Sequence, residues 1–430
     1  MEPMRTLCLS VILAVCLCLS AGCTQRTQPN GEPDPLPEPE PAELVGAVHL
    51  EMVEITEGGI RIQTRHTEYA NALIPLEILA RFTGEVRAER IEADGARIRL
   101  GTRTIRIWAG TPRYEADGET RMAQGPSFAE TGGIWLHASL LAAELDGCRW
   151  DEQEGLVVDE AAGGVEEMVT LSDTEGAFGF QTLISARHPL DAQDTGRDLV
   201  VLNREYPDFH YLRDGMEFND RAARALSEML RAAQADTLDG IWLVSTYRTY
   251  AYQEVIFERK VREYMRDFGY GEEEARREAA RVVALPGGSE HQSGLAVDFT
   301  SADMIRRGEY LTVSFRETPE GIWLARHAPS FGFILRYPAG TEELTGIREE
   351  PWHYRYVGVP HAGVMQEKNL VLEDYLVWLA REGALDVHQD GREYRIVYVE
   401  DSLADRVRVD TGISEISPTN EGGYILTIVR

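Results

Sequence analysis

Two short stretches decide how this chain folds around its chemistry. They are Ser289-Glu290-His291-Gln292-Ser293-Gly294-Leu295-Ala296-Val297-Asp298 and, further on, Glu350-Pro351-Trp352-His353. In the first, Gly294 releases the chain from a loop into a strand, where Leu295, Val297 and Phe299 alternate with Ala296, Asp298 and Thr300. Asp298 therefore points to a sheet face with only the small Ala296 beside it, which leaves room for an ion. His291 stands in the loop before that strand and can bend back over the same face. In the second stretch His353 begins another alternating run, opposite in face to Trp352 and Tyr354.

Two histidines and one carboxylate suit a catalytic zinc site, in which three protein ligands leave one position open. His291, Asp298 and His353 are the candidate ligands, and Zn2+ is the expected cofactor. Glu350 stands three residues before His353, with Pro351 fixing the chain between them. That makes it the natural general base, able to take a proton from water and pass it to a leaving amine. The helical zinc-protease motif, His-Glu-x-x-His, is absent, so the site belongs to a different architecture.

The pattern Ser-x-His-x-x-Gly-x-Ala-x-Asp followed by Glu-x-Trp-His resembles that of the VanY-like zinc D-alanyl-D-alanine carboxypeptidases, which trim peptidoglycan stem peptides. The resemblance runs from about Leu199 to Glu382. It includes Ser245-Thr246-Tyr247-Arg248-Thr249 with Gln253, Pro286-Gly287, and Gly332-Phe333 with Tyr337. It implies an α+β fold of the Hedgehog/DD-peptidase kind, a small antiparallel sheet flanked by helices. It also implies metal ligands at His291, Asp298 and His353, the catalytic glutamate at Glu350, and an arginine that steadies the oxyanion at Arg248. Gln253, Ser289, Tyr337 and Trp352 correspond to residues that hold the peptide and its terminal carboxylate. An L,D-carboxypeptidase or a peptidoglycan endopeptidase would share this chemistry. A wall-binding module that had lost catalysis would not need Glu350.

Working outward, the region 165–384 reads as the catalytic domain. Asn219 or Asp220 can cap a helix with an apolar stripe from Ala222 to Ala233, and Ile241-Trp242-Leu243-Val244 reads as a buried strand. A long helix carrying Val255, Ile256, Val261, Tyr264 and Phe268 ends at Gly269. Residues 44–160 alternate like short strands, with a hairpin about Gly101-Thr102-Arg103. A weak repeat links Leu73, Ile78, Ala80, Phe82 and Gly84 to Leu136, Leu141, Ala143, Leu145 and Gly147. This part resembles the repeat domain named after the amino-terminal region of copper amine oxidases, and it offers no metal cluster. Residues 385–430 form a small β-rich extension.

The amino-terminal end reads as an export signal. Leu7 to Leu19 is an apolar run after Arg5, too short to span a bilayer. Ser20-Ala21-Gly22-Cys23 then resembles a lipobox, in which Cys23 is lipidated and anchors the chain to the membrane. Ser20 and Gly22 would equally suit an ordinary signal peptidase and a secreted product. Residues 24–43 form a tether, with prolines 29, 33, 35, 37, 39 and 41 between acidic residues. With Cys148 the single body cysteine, a disulfide framework is excluded. The chain's 43 basic and 72 acidic residues give a formal charge of −29, which argues against nucleic acid as a partner. An apolar share of 43% supports folded cores along the 430 residues.

Overall fold

The structure is a computed structural model that describes residues 48–429 apart from 57–58, 67–68, 70, 84–85, 131–132, 159–167, 175–177, 390 and 411–413. The export signal, Cys23 and the tether at 24–43 lie outside the described residues. Among the described residues, no helix is long and apolar enough to cross a membrane.

The site is built on a five-stranded sheet. Its strands lie in the order His210–Tyr211, Ile241–Ser245, Ala296–Ser301, Glu350–Tyr356 and Phe333–Tyr337. Neighbours run antiparallel except at the His210–Tyr211 edge, which pairs in parallel with Ile241–Ser245. Ala296–Ser301 is the middle strand, and every residue of it is buried. Val297 and Phe299 pack with Leu243, Phe333 and Tyr354 against Leu226, Met229 and Leu230 of the helix Asp220–Ala235. That helix starts where the sequence predicts, with the Asn219 side chain accepting from the Ala222 amide at 3.1 Å. The opposite sheet face carries Asp298, and the helix Tyr250–Phe268 follows the strand that ends at Ser245. Gly269 closes this helix at φ 70°, a left-handed turn that glycine adopts without strain.

The amino-terminal part is β-rich. Seven antiparallel strands from Leu73 to His137 form one sheet, and it contains the expected hairpin of Gly95–Leu100 with Arg103–Trp108. The two copies of the weak repeat are each a strand leading into a short helix, at Leu76–Thr83 and Ala138–Glu144. Their entry strands pair with each other, Ile74 opposite Leu136. Cys148 is half-buried against this core.

The last strands join the two regions. Val407–Asp410 pairs in parallel with His49–Thr56, so the carboxy-terminal segment completes the amino-terminal sheet. Arg392–Glu400 and Gly423–Val429 lie side by side in a further four-stranded sheet, and along most of their length these two strands are buried on both faces. Val397, Val399, Leu426 and Ile428 face the amino-terminal core. Ile396, Tyr398 and Ile425 face Leu372, Tyr375 and Leu376 of the helix Leu372–Glu382. Continuous apolar runs such as Ile396-Val397-Tyr398-Val399 suit a strand covered on both sides.

Candidate metal centre

Sheet register brings the candidate residues together. Asp298 stands directly opposite His353 on one side and Ser245 on the other, and Tyr337 stands opposite Glu350. His291 comes from a short 3-10 turn, Glu290–Ser293, which ends at Gly294 with φ 76°. That left-handed residue reverses the chain into the middle strand, as a non-glycine residue would do only under strain. The ligand atoms of His291, Asp298 and His353 all lie within 4.8 Å of one another, and all three residues are buried.

The hydrogen bonds orient these donors inward. The Nδ1–H of His291 donates to the Thr246 carbonyl at 2.6 Å, which leaves Nε2 as the free electron pair facing Asp298. Protonated His353 donates from both ring nitrogens, Nε2 toward Glu290 Oε2 at 3.4 Å and Nδ1 toward Asp298 Oδ1 at 3.0 Å, and a metal ion would take the place of the Nδ1 proton. A histidine whose outer nitrogen donates to a fixed acceptor is the usual arrangement of a metal ligand. Arg248 reaches the same point, with Nη2 2.7 Å from Asp298 Oδ2 and 3.0 Å from His291 Nε2. A guanidinium nitrogen bonded to these inward-facing ligand atoms marks a place suited to a cation, and the donor set fits a metal ion.

Charge follows the same pattern. Burial works against the Asp298 anion, but His291, His353 and Arg248 together hold its carboxyl well below the usual carboxylate range. Burial likewise opposes the charged form of His353, and hydrogen bonds to Asp298 and Glu290 outweigh it, raising the imidazole to about 9. Burial, with Arg248 nearby, pushes His291 down to about 4. Glu350 sits with Oε2 3.8 Å from His353 Nδ1, and burial lifts its carboxyl to about 8. That places a proton-hungry carboxylate beside the donor set.

The remaining candidates line the same cleft, a cavity of about 620 Å³. Gln253 is buried and uses both amide atoms. Its Oε1 accepts from Arg248 Nη1 at 3.2 Å, and its Nε2 donates to the Ala284 carbonyl at 2.8 Å. With Ser245 Oγ accepting from Nε at 2.9 Å, it fixes the plane of the guanidinium. Tyr337 packs its ring 5.0 Å from His353. Ser289 is buried at the cleft wall, and Trp352 is half-buried there.

Sequence reading did not single out the support behind His353. Glu290 is fully buried and accepts on Oε1 from Arg336 Nε at 2.8 Å and from Arg355 Nη1 at 2.9 Å. Arg336 is held in turn by both oxygens of Glu373 at 2.7 and 2.9 Å. Burial would raise the Glu290 carboxyl, but Arg336, Arg355 and His353 hold it well below the ordinary range. The available signal was an arginine inside each of two strands, Arg336 and Arg355, because a buried guanidinium charge calls for an anion beside it.

Such a centre can activate water and steady an oxyanion in a cleft open to a peptide, and this defines the class as a metallohydrolase. Residues 215–359 match the VanY family, D-alanyl-D-alanine carboxypeptidase. The D-alanyl-D-alanine carboxypeptidase of Enterococcus faecium is 33% identical over 264 residues, covering 60% of this chain and 78% of that relative. Its counterpart in Enterococcus faecalis is 37% identical over 202 residues, covering 45% of this chain and 70% of the relative. A solved structure described as VanYB in complex with D-Alanine-D-Alanine is 36% identical, covers 46% of this chain and 97% of its own, and gives a TM-score of 0.38. The chain belongs to the VanY family.

Proposed function

We propose that this chain is a zinc-dependent D-alanyl-D-alanine carboxypeptidase that hydrolyses the terminal D-alanine from peptidoglycan stem peptides. The observation that carries the reading is the convergence of three ligand atoms within 4.8 Å, with the Glu350 carboxylate 3.8 Å from one of them. Two imidazoles and one carboxylate are a donor set that zinc hydrolases use, and His291, Asp298 and His353 would hold the ion. When bound, zinc supplies Lewis-acid polarisation of a carbonyl and of water.

The chain's own residues do the rest. Glu350 takes the water proton on its carboxylate and delivers it to the leaving amine nitrogen. Burial, above all, holds this carboxyl near 8, and a cation in the site would draw that value down toward the neutral range a general base needs. Arg248, pinned by Ser245 and Gln253, offers guanidinium N–H groups to the carbonyl oxygen as negative charge develops there. Ser289, Tyr337 and Trp352 shape the wall against which the D-alanine lies. The direct assay is D-alanine release from a muramyl pentapeptide, abolished by a chelator and restored by zinc. Release only from tetrapeptide or cross-linked muropeptides would move the reading to an L,D-carboxypeptidase or an endopeptidase.

The working unit would face the cell wall, held to the membrane by a lipid on Cys23 and set off from it by the proline-rich tether. The support is the sequence alone. Cys23→Ala should release the protein from membranes or block its processing. Wild-type protein that stays soluble with a free Cys23 amino terminus would favour plain secretion.

A further inference from the structure

The cleft is longer than its reacting centre. It runs along one face of the helix Tyr250–Phe268, where Tyr252, Ile256, Arg259, Lys260 and Tyr264 recur at helical spacing. Arg213, just beyond the edge strand, lines the same wall, with its guanidinium 5.9 Å from the Tyr252 ring centre. A basic wall is out of character in a chain of net charge −29 that has two lysines, one of them Lys260. The other cleft cations have acidic partners: Arg248 has Asp298, Arg348 has Glu278, and Lys260 has Glu263. Arg213 and Arg259 are exposed and have no carboxylate partner among the described residues.

Position gives these two side chains a meaning. At 1.5 Å per residue, Arg259 lies about 14 Å up the helix axis from Tyr250, which is two residues past Arg248. An extended peptide rises about 3.3 Å per residue. A side chain two or three residues before the scissile bond, with an arm of several atoms, reaches the same height. A guanidinium pairs with a carboxylate through two parallel hydrogen bonds, whereas a carboxamide offers one acceptor and no charge.

We propose that Arg259, assisted by Arg213, reads a free carboxylate on the substrate two or three residues before the scissile bond. The enzyme then prefers stem peptides with free acidic groups to those that carry carboxamides, a preference that rests on the carboxypeptidase reading above. The test uses acyl-X-D-Ala-D-Ala peptides in which the side chain of X ends in a free carboxylate, in its carboxamide, or in the ammonium of lysine. At low salt, kcat/KM for the carboxylate should exceed that for the carboxamide by about two- to fivefold, with lysine no better than the carboxamide. The ratio should shrink in about 0.5 M salt, because the pair is exposed and screened. Arg259→Gln should bring the ratio close to one, and Arg259→Lys should keep part of it. A wild-type ratio near one, with the carboxamide peptide still cleaved, overturns this inference and leaves the carboxypeptidase reading standing. So does an unchanged ratio in both Arg259→Gln and Arg213→Gln. Release of D-alanine from none of the peptides overturns both readings together.

Discussion

Replacing Glu290 by glutamine removes one negative charge from a place no water reaches. In the native protein that carboxylate satisfies Arg336 at 2.8 Å, Arg355 at 2.9 Å and, more loosely, His353 at 3.4 Å. Arg336 would keep both oxygens of Glu373. Arg355 would keep only backbone carbonyls, those of Phe180, Thr182 and Tyr356. Leaving a buried cation without its anion costs about 3–5 kcal/mol, and the amide NH2 of glutamine adds a donor where only donors converge. His353 loses the acceptor that fixes its outer proton, so zinc affinity should also fall by about 10- to 100-fold. Urea unfolding of chelator-treated protein reads the first effect, and competition with a calibrated chelator reads the second. Glu373→Gln is the internal comparison. Its side chain is 13% exposed and Arg336 would retain Glu290, so the loss should be clearly smaller. The pH dependence has a fixed sign. The neighbouring cations lower the Glu290 carboxyl in the folded state, so its stabilising share is complete above about pH 5 and is lost as pH falls below the ordinary glutamate range. Wild-type stability should drop more steeply than that of Glu290→Gln in acid. A stability loss below about 1 kcal/mol with unchanged zinc affinity would refute the reasoning.

Two further outcomes are expected. Arg248→Ala should lower kcat by about 10²-fold with zinc still bound, since the guanidinium acts on charge that develops in the transition state; an unchanged kcat would remove it from the chemistry. Leu426→Ala and Ile425→Ala, on opposite faces of one buried strand, should each cost about 2–5 kcal/mol in denaturant unfolding, whereas a strand packed on one face would spare one of them.

Much of the site was legible because period-two alternation is a local rule. Once Ala296–Ser301 is a strand, Asp298 must leave the core on which Val297 and Phe299 pack, and Gly294 must mark the turn that carries His291. The helix after Arg248 was legible too, from its stripe and its closing glycine. Pairing between distant strands was not. Nothing local in Val407 to Asp410 says that it lies beside His49–Thr56, and the run Ile396 to Val399 indicates burial without naming the two cores that cover it. The Glu290 network escaped for the same reason. Its partners stand 46 and 65 residues away, so the acid reads as an ordinary loop residue until the sheet places two arginines over it. Gln253 was legible as a site residue, while its grip on the Arg248 guanidinium appears only in three dimensions.

The central claim is that the carboxylate of Glu350 moves the proton while three other side chains hold the metal. Glu350→Gln keeps the size and hydrogen bonding of the side chain, removes its basicity and leaves His291, Asp298 and His353 untouched. The most direct measurement is D-alanine release from a muramyl pentapeptide by the wild type and by Glu350→Gln, compared at equal zinc content. The account predicts that zinc stays bound and that turnover falls by at least ~10²-fold, the usual contribution of a positioned base. Equal rates at equal zinc would contradict it, because another group would then be carrying the proton.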